Sequence, residues 1–283
     1  MGDLDIDTRV HATGPSSFRA TLSPEWEIWG PNGGYLAAVA LRAAGAATGR
    51  ARPVSLGAHF VGAGASREID IDVVINRHTK VASSATATLT QDDRVVLVAT
   101  VWGADGDLPG LVHHTDRSPL NGLTPPEDLQ SAAELMAAVE GRTRHPFWSN
   151  IDHRPLDWVT DWASRGAQDP STRAWYRFVP TDSFDDPWVD AARPLILVDL
   201  DSWPSATLAH VGDLEHYAPT IELAVRFVGS CSGSPWLYSA ASAPVAAGGL
   251  IAASGEIWTR DGRLVALGGS TLLCRPSGRR PDR

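Results

Sequence analysis

Along the second half of this chain, Ile221, Leu223, Val225 and Phe227 alternate with Thr220, Glu222, Ala224 and Arg226, the period of two that turns one face of a strand inward. The first half carries the same signal: Ile69, Ile71, Val73 and Ile75 alternate with Glu68, Asp70 and Asp72, and Ala85, Ala87 and Leu89 with Thr86, Thr88 and Thr90. Asp92-Asp93 and Asp261-Gly262 each separate two apolar runs and predict hairpin turns. Each half therefore reads as a meander of antiparallel strands. The period of two gives way between Gly33 and Thr48, where Ala, Leu and Val dominate and Arg42 is the sole charge. Asn32 can cap this segment, and a helix that is apolar nearly all round is buried on most sides. A shorter helix is expected from about Asp201 to His210, capped by Asp201 or Ser202, with Pro204 in its first turn.

The two halves repeat each other. Phe60-Val61-Gly62 recurs as Phe227-Val228-Gly229, and Asp92-Asp93-Arg94-Val95-Val96 as Asp261-Gly262-Arg263-Leu264-Val265, at nearly the same offset. Pro53 opens the run toward the first Phe-Val-Gly, and Pro219 the run toward the second. Between the halves lies a connector rich in Pro, Gly and His. It contains Thr124-Pro125-Pro126-Glu127, which has the form of a capping box, ahead of an apolar stripe of Leu129, Ala133, Met136 and Val139 with Gly141 as terminator. Arg173 to Val179 reads as the opening strand of the second half. The stretch from Phe147 to Trp188 holds five of the 11 tryptophans, which more often build a core or an interface than a ligand wall.

Composition narrows the function. The chain has 283 residues, 43% of them hydrophobic, and 33 acidic against 24 basic side chains leave a net charge of −9. That excess, with no basic stripe before the terminus, argues against nucleic acid as a partner. No phosphate-cradling glycine motif is present and Lys80 is the only lysine, so nucleoside triphosphate chemistry is not expected. No membrane span or secretory signal is visible in the sequence, and a soluble cytoplasmic protein is the expectation. Cys231 and Cys274 show no zinc spacing and are expected to be reduced. Four arginines in the segment from Arg275 to Arg283 predict a frayed tail.

Two groups of residues imitate reactive centres. Gly229-Ser230-Cys231-Ser232-Gly233 has the form of a nucleophile elbow, but the last histidine is His216, so the Asp-then-His order that such a fold supplies is missing. The repeat also aligns this stretch with the Gly62 to Ser66 loop. Asp199 with Asp201, His113-His114, and Asp213-Glu215-His216 contain ligand-type side chains without ligand spacing, and neither a metal nor a cofactor is expected.

A buried helix wrapped by a meandering antiparallel sheet, duplicated in one chain, resembles the double-hotdog arrangement, an α+β fold. Gly30-Pro31-Asn32-Gly33-Gly34-Tyr35-Leu36, Val198-Asp199-Leu200, Pro219-Thr220-Ile221, Trp236-Leu237 and Asp261 to Ala266 together resemble the acyl-CoA thioesterase II family, in order, from about residue 15 to 276. The resemblance implies a hotdog unit over 1–104, a connector with one helix over 105–145, a second hotdog unit carrying the site over 146–276, and a disordered tail over 277–283. It also implies a homodimer or larger homo-oligomer and a place in lipid metabolism.

The activity implied is hydrolysis of an acyl-CoA or carrier-bound acyl thioester by a water held among an acid, a hydroxyl and a carboxamide. The acid falls on Asp199 and the hydroxyl on Thr220, while the family's glutamine falls on Ser270, a departure that shortens reach and removes a two-donor group. Backbone amides near Gly33 and Gly34, at a helix start, are the expected oxyanion donors. Each residue also has an ordinary explanation. Asp199 suits a strand end or a helix cap, Thr220 a strand, Ser270 a bulge after Gly268-Gly269, and Gly33-Gly34 close packing. A non-hydrolysing acyl-thioester binder that lost the carboxamide is the main alternative. Hydration of an enoyl thioester ranks last, because the helix segments offer no Asp-plus-His pair.

Overall fold

The computed structural model describes residues 1–106, 108–113, 119–137, 144–159, 161, 164–212 and 214–277. Its helices are α1 (Leu4–Asp7), α2 (Gly33–Thr48), α3 (Ala132–Ala137), α4 (Pro187–Asp190), α5 (Ala192–Leu200) and α6 (Ser202–Leu208). The first-half strands are β1 (His11–Ala12), β2 (Ser17–Thr21), β3 (Arg52–Phe60), β4 (Glu68–His78), β5 (Ala82–Gln91) and β6 (Arg94–Ala104). The second half supplies β7 (Ile151–Pro155), β8 (Ser171–Phe178), β9 (His216–Tyr217), β10 (Thr220–Phe227), β11 (Trp236–Ala247), β12 (Leu250–Thr259), β13 (Leu264–Leu273) and β14 (Arg275–Pro276). Among the described residues no helix is long and apolar enough to cross a membrane.

Two antiparallel sheets, one from each half, wrap a central helix apiece and join edge to edge. Among the described residues the joint sheet has twelve strands in the order β1-β2-β4-β5-β6-β3-β10-β13-β12-β11-β8-β7. The seam is the antiparallel pair β3 and β10, with Leu56 opposite Val225 and Ala58 opposite Leu223. This is the double hotdog. Its central helices, α2 and α5, share one core with the inward faces of both sheets.

The repeated tripeptide makes the same turn in both lobes. The amides of Val61 and Gly62 both donate to the Val96 carbonyl, and those of Val228 and Gly229 both donate to Val265. A Cβ on Gly62 would lie 2.7 Å from the Val95 carbonyl oxygen, and one on Gly229 would lie 3.0 Å from that of Leu264. Glycine therefore ends each run because neighbouring backbone occupies the side-chain position. In the β5–β6 hairpin, Asp92 and Asp93 both take left-handed φ values of 47° and 60°, the two-residue turn that matches strand twist.

The helix α2 follows its sequence signal. The Asn32 side chain accepts from the Tyr35 amide at 3.0 Å, and Gly49 closes the helix at φ 62°. The second central helix departs from expectation. The helix expected from about Asp201 is present as α6, with Asp201 at its cap position and Pro204 in its first turn, but it is preceded by an unforeseen segment, α5, that begins at Ala192. The two are divided because Pro204 has no N–H to donate to the carbonyl four residues back. Asp199, expected ahead of the helix, is thus the penultimate residue of α5. The connector helix also starts later than its motif. Pro126–Asp128 forms a single 3-10 turn without a side-chain cap, since Pro125, at the cap position, has no side-chain acceptor. The capping box is instead Ser131 with Glu134, whose side chains each bond the other's backbone amide. Ala132 faces inward while Ala133 is exposed, and Val139 and Gly141 lie outside the described residues. The segment expected to fray from Arg275 is instead paired at its start, with Arg275 opposite Tyr217 and Pro276 opposite His216, and its residues beyond Ser277 lie outside the described ones.

At the helix–helix contact, a Cβ on Gly34 would lie 2.7 Å from the Ile196 Cα, so α2 and α5 touch backbone to backbone. Gly34→Ala should therefore lower unfolding stability by about 1–3 kcal/mol in denaturant titration, through overpacking. Gly57→Ala, on β3 with nothing within 4 Å of the new methyl, should be neutral or stabilising. Equal midpoints for the two variants would contradict the backbone contact.

Candidate active site

Helix α2 points its N-terminus at the last turn of α5, and the Asp199 side chain fills the gap between them. Its Oδ2 accepts from the Gly34 amide at 3.0 Å, and its Oδ1 accepts from the Thr220 hydroxyl at 2.7 Å. A Cβ on Gly33 would lie 2.9 Å from Asp199 Oδ2, so the first glycine makes room for the carboxylate and the second for the α5 backbone.

Thr220 reaches this position through an irregularity. Strict alternation puts it on the polar face of β10 with Glu222. In the structure Thr220 pairs with Leu272 and Glu222 with Thr271, a bulge that turns Thr220 inward toward Asp199. Sequence periodicity did not show this, because a bulge leaves no mark in the alternation of side chains.

A cavity of about 320 Å³ opens on the carboxylate. Asp199, Thr220, Asn32 and Gly33 supply its polar floor, and Phe60, Trp148, Trp203 and Leu272 its apolar walls. That size and composition suit a small apolar ligand held by a few polar groups. The aromatic walls were not singled out from the sequence; of the tryptophan-rich stretch, Trp148 is a cavity wall, whereas Trp175 packs in a core with Trp236, Tyr238 and Trp258.

The structure thus gathers Asp199, Thr220, Gly33 and Gly34, and holds Ser270 apart. Ser270 is buried on β13 and its hydroxyl donates to Ser202 Oγ at 2.7 Å, one helical turn beyond Asp199. The Gly34 amide, expected as an oxyanion donor, is committed to Asp199. The Gly33 amide has no protein acceptor among the described residues and borders the cavity.

Two residues on, Asp201 is a second buried carboxylate. Tyr176 donates to its Oδ1 at 2.5 Å and Ser239 to its Oδ2 at 2.7 Å. Positions two apart on a helix do not share a face, so the two aspartates serve separate networks and do not converge as a ligand pair. Burial pushes the Asp201 carboxyl up to about 6 against those two hydrogen bonds. Burial likewise raises Asp199, with the Thr220 and Gly34 hydrogen bonds pulling the other way. Cys231 is buried, its sulfur lies 3.1 Å from Asp190 Oδ2, and burial raises its thiol, which disfavours the reactive thiolate.

A carboxyl whose pKa is higher in the folded state binds more protons there, so stability falls as pH rises above the ordinary 3.8. Asparagine at this position can accept from the Gly34 amide and donate to the Thr220 hydroxyl without a charge. Asp199→Asn should therefore melt at a higher temperature than wild type at about pH 7.5, with the difference closing near about pH 3.5. A pH-independent difference in calorimetry would contradict a desolvated carboxylate.

Comparison with known proteins agrees with this architecture. The hot dog fold protein of unknown function from Alicyclobacillus acidocaldarius superposes with a TM-score of 0.79 at 22% identity, covering 96% of this chain and 97% of that one. The acyl-CoA thioesterase II TesB2 from Mycobacterium marinum gives 0.78 at 20% identity, covering 98% and 100%. A dehydratase domain from the CurJ module of the curacin polyketide synthase also matches, with a TM-score of 0.56 at 13% identity over 96% and 98%. At such identities these likenesses establish the fold alone. A sequence search of curated proteins gives no match. Family models are more specific: residues 22–104 match the acyl-CoA thioesterase N-terminal domain and residues 126–272 the acyl-CoA thioesterase C-terminal domain. With both halves matched in order, the chain belongs to the acyl-CoA thioesterase family.

Proposed function

We propose that the protein hydrolyses an acyl-CoA or carrier-bound acyl thioester, with Asp199 as the base that activates water. The observation that carries this reading is one buried carboxylate, raised in pKa, hydrogen-bonded to a hydroxyl and opening on an apolar cavity. A general base works best when its pKa approaches the working pH, and burial moves Asp199 in that direction.

Because the Thr220 hydroxyl spends its proton on Asp199, its lone pairs are left to accept from a water. That water gives one hydrogen bond to Thr220 and the other to the carboxylate, which aims its oxygen into the cavity. Its oxygen bonds to the thioester carbonyl carbon as its proton passes to Asp199. The negative charge that builds on the carbonyl oxygen is met by the Gly33 amide at the positive end of α2. When the intermediate collapses, the carbon–sulfur bond breaks and the proton leaves Asp199 for the departing sulfur. The acid and the free thiol are the products.

The Ser202–Ser270 pair favours one other reading, an acyl-thioester binder without turnover, since no carboxamide reaches toward the water from β13. Thiol release from a panel of acyl-CoAs separates the two. Asp199→Asn should lower kcat by about 10²–10⁴, the usual worth of a general base, and Thr220→Val by a smaller factor. The wild-type rate should fall on the acid side with a midpoint above 3.8. Ser270→Gln should be faster than wild type if that position has lost a water-orienting group. Equal turnover by wild type and Asp199→Asn removes Asp199 from the chemistry, while tight calorimetric binding without turnover selects the binder.

A further inference from the structure

Trp203 lines the cavity over Asp199 and also lines a second cavity of about 390 Å³, which opens to solvent beside the exposed 246–250 turn. Ala206, Leu214, Ile251 and Cys274 help wall that rear space. Asp199, Trp203 and Ala206 follow one another at steps of four and three residues, the spacing of a single helical face. Asp201 keeps a right-handed helical backbone at φ −88° and ψ −1°, so this face continues across the break between α5 and α6. Trp203 is half-buried and packs against a small core that contains Leu272 of the front cavity and Ala206 and Ile251 of the rear one. One face of the second central helix therefore leads from the carboxylate, past one indole, into a space the front cavity does not use.

Four helical residues rise about 6 Å, so an acyl chain whose carbonyl sits at Asp199 meets the indole after only a few carbon–carbon bonds. We propose that Trp203 determines acyl-chain length: its indole limits the site to short acyl groups, and the rear cavity is an extension of the acyl channel that this ring keeps closed. The proposal rests on the hydrolase reading and names the substrate class of that site. Removing the ring joins the two spaces while leaving Asp199, Thr220 and the α2 N-terminus in place.

Chain-length profiles provide the test. With acyl-CoAs from butanoyl to hexadecanoyl, wild-type kcat/KM should fall steeply beyond the short chains. In Trp203→Ala the ratio of dodecanoyl to hexanoyl kcat/KM should rise roughly tenfold or more, because several methylenes gain a pocket. Trp203→Phe should lie between and guards against a variant that loses its fold. A second readout needs no turnover. Cys274 is a half-buried free thiol on the rear wall, whereas Cys231 is buried. In the Asp199→Asn background, dodecanoyl-CoA should slow iodoacetamide labelling of Cys274 when Trp203→Ala is also present and leave it unchanged when Trp203 is intact. An unaltered chain-length ratio with no added protection of Cys274 overturns the wall. Absence of hydrolysis of every acyl-CoA by wild type overturns the hydrolase reading instead, and Cys274 protection then decides the wall by itself.

Discussion

The hydrogen bond from the Gly34 amide to the Asp199 carboxylate joins positions 165 residues apart and fixes how the two lobes meet. A buried carboxylate without partners is too costly to keep charged, and here the compensation comes from the other lobe: the open amides and positive end of α2. The same contact demands two consecutive glycines, one for the carboxylate and one for the Ile196 backbone. Lobe assembly and the placement of the proposed base are thus one structural problem. A chain that brought the two central helices together with alanines would have neither the close approach nor the space for the acid.

The break after α5 separates what the two buried aspartates do. Asp199 faces α2 and the cavity, while Asp201 is tied to Tyr176 on β8 and Ser239 on β11, anchoring the helix to the sheet that wraps it. Pro204 interrupts the hydrogen-bond ladder at this point; α5 packs backbone to backbone against α2, while Trp203 and Ala206 of α6 line the cavities. Both carboxyls are raised by burial, and the resulting loss of stability toward neutral pH is the physical cost of keeping acids in the core.

How much of this was legible in the sequence depended on whether the signal was local. Helix α2 is specified by Asn32, a run of small apolar residues and Gly49, and the structure follows it. The Phe-Val-Gly repeat was visible as text, and its cause, a carbonyl where a Cβ would stand, became clear only with both lobes in place. Leu195 to Val198 is an apolar run too short to separate a buried helix from a buried strand, which is why α5 was missed and Asp199 was expected ahead of its helix. Thr220 was named as a site residue by resemblance while its period of two placed it on the polar face, and the bulge resolves that conflict. The Thr124 motif failed because the turn starts one residue later, with Pro125, which has no side-chain acceptor, at the cap position, and the pattern was satisfied seven residues later by Ser131 and Glu134.

The fold also hosts a dehydratase domain, so the reaction must be argued from the site. Elimination of water from an acyl thioester needs one group to take a proton from carbon and another to protonate the departing hydroxyl. Among the described residues lining the front cavity, Asp199 is the only ionisable side chain, and the hydroxyl beside it is already donating to that carboxylate. In the proposed roles, one carboxylate, one acceptor and a helix N-terminus would suffice to activate a water and steady an oxyanion, but they do not supply the second, proton-giving group. Hydrolysis makes the smaller demand, because a thiolate leaves from carbon more readily than hydroxide does. The polar inventory of this cavity therefore favours adding water across a carbon–sulfur bond over removing it from a carbon chain.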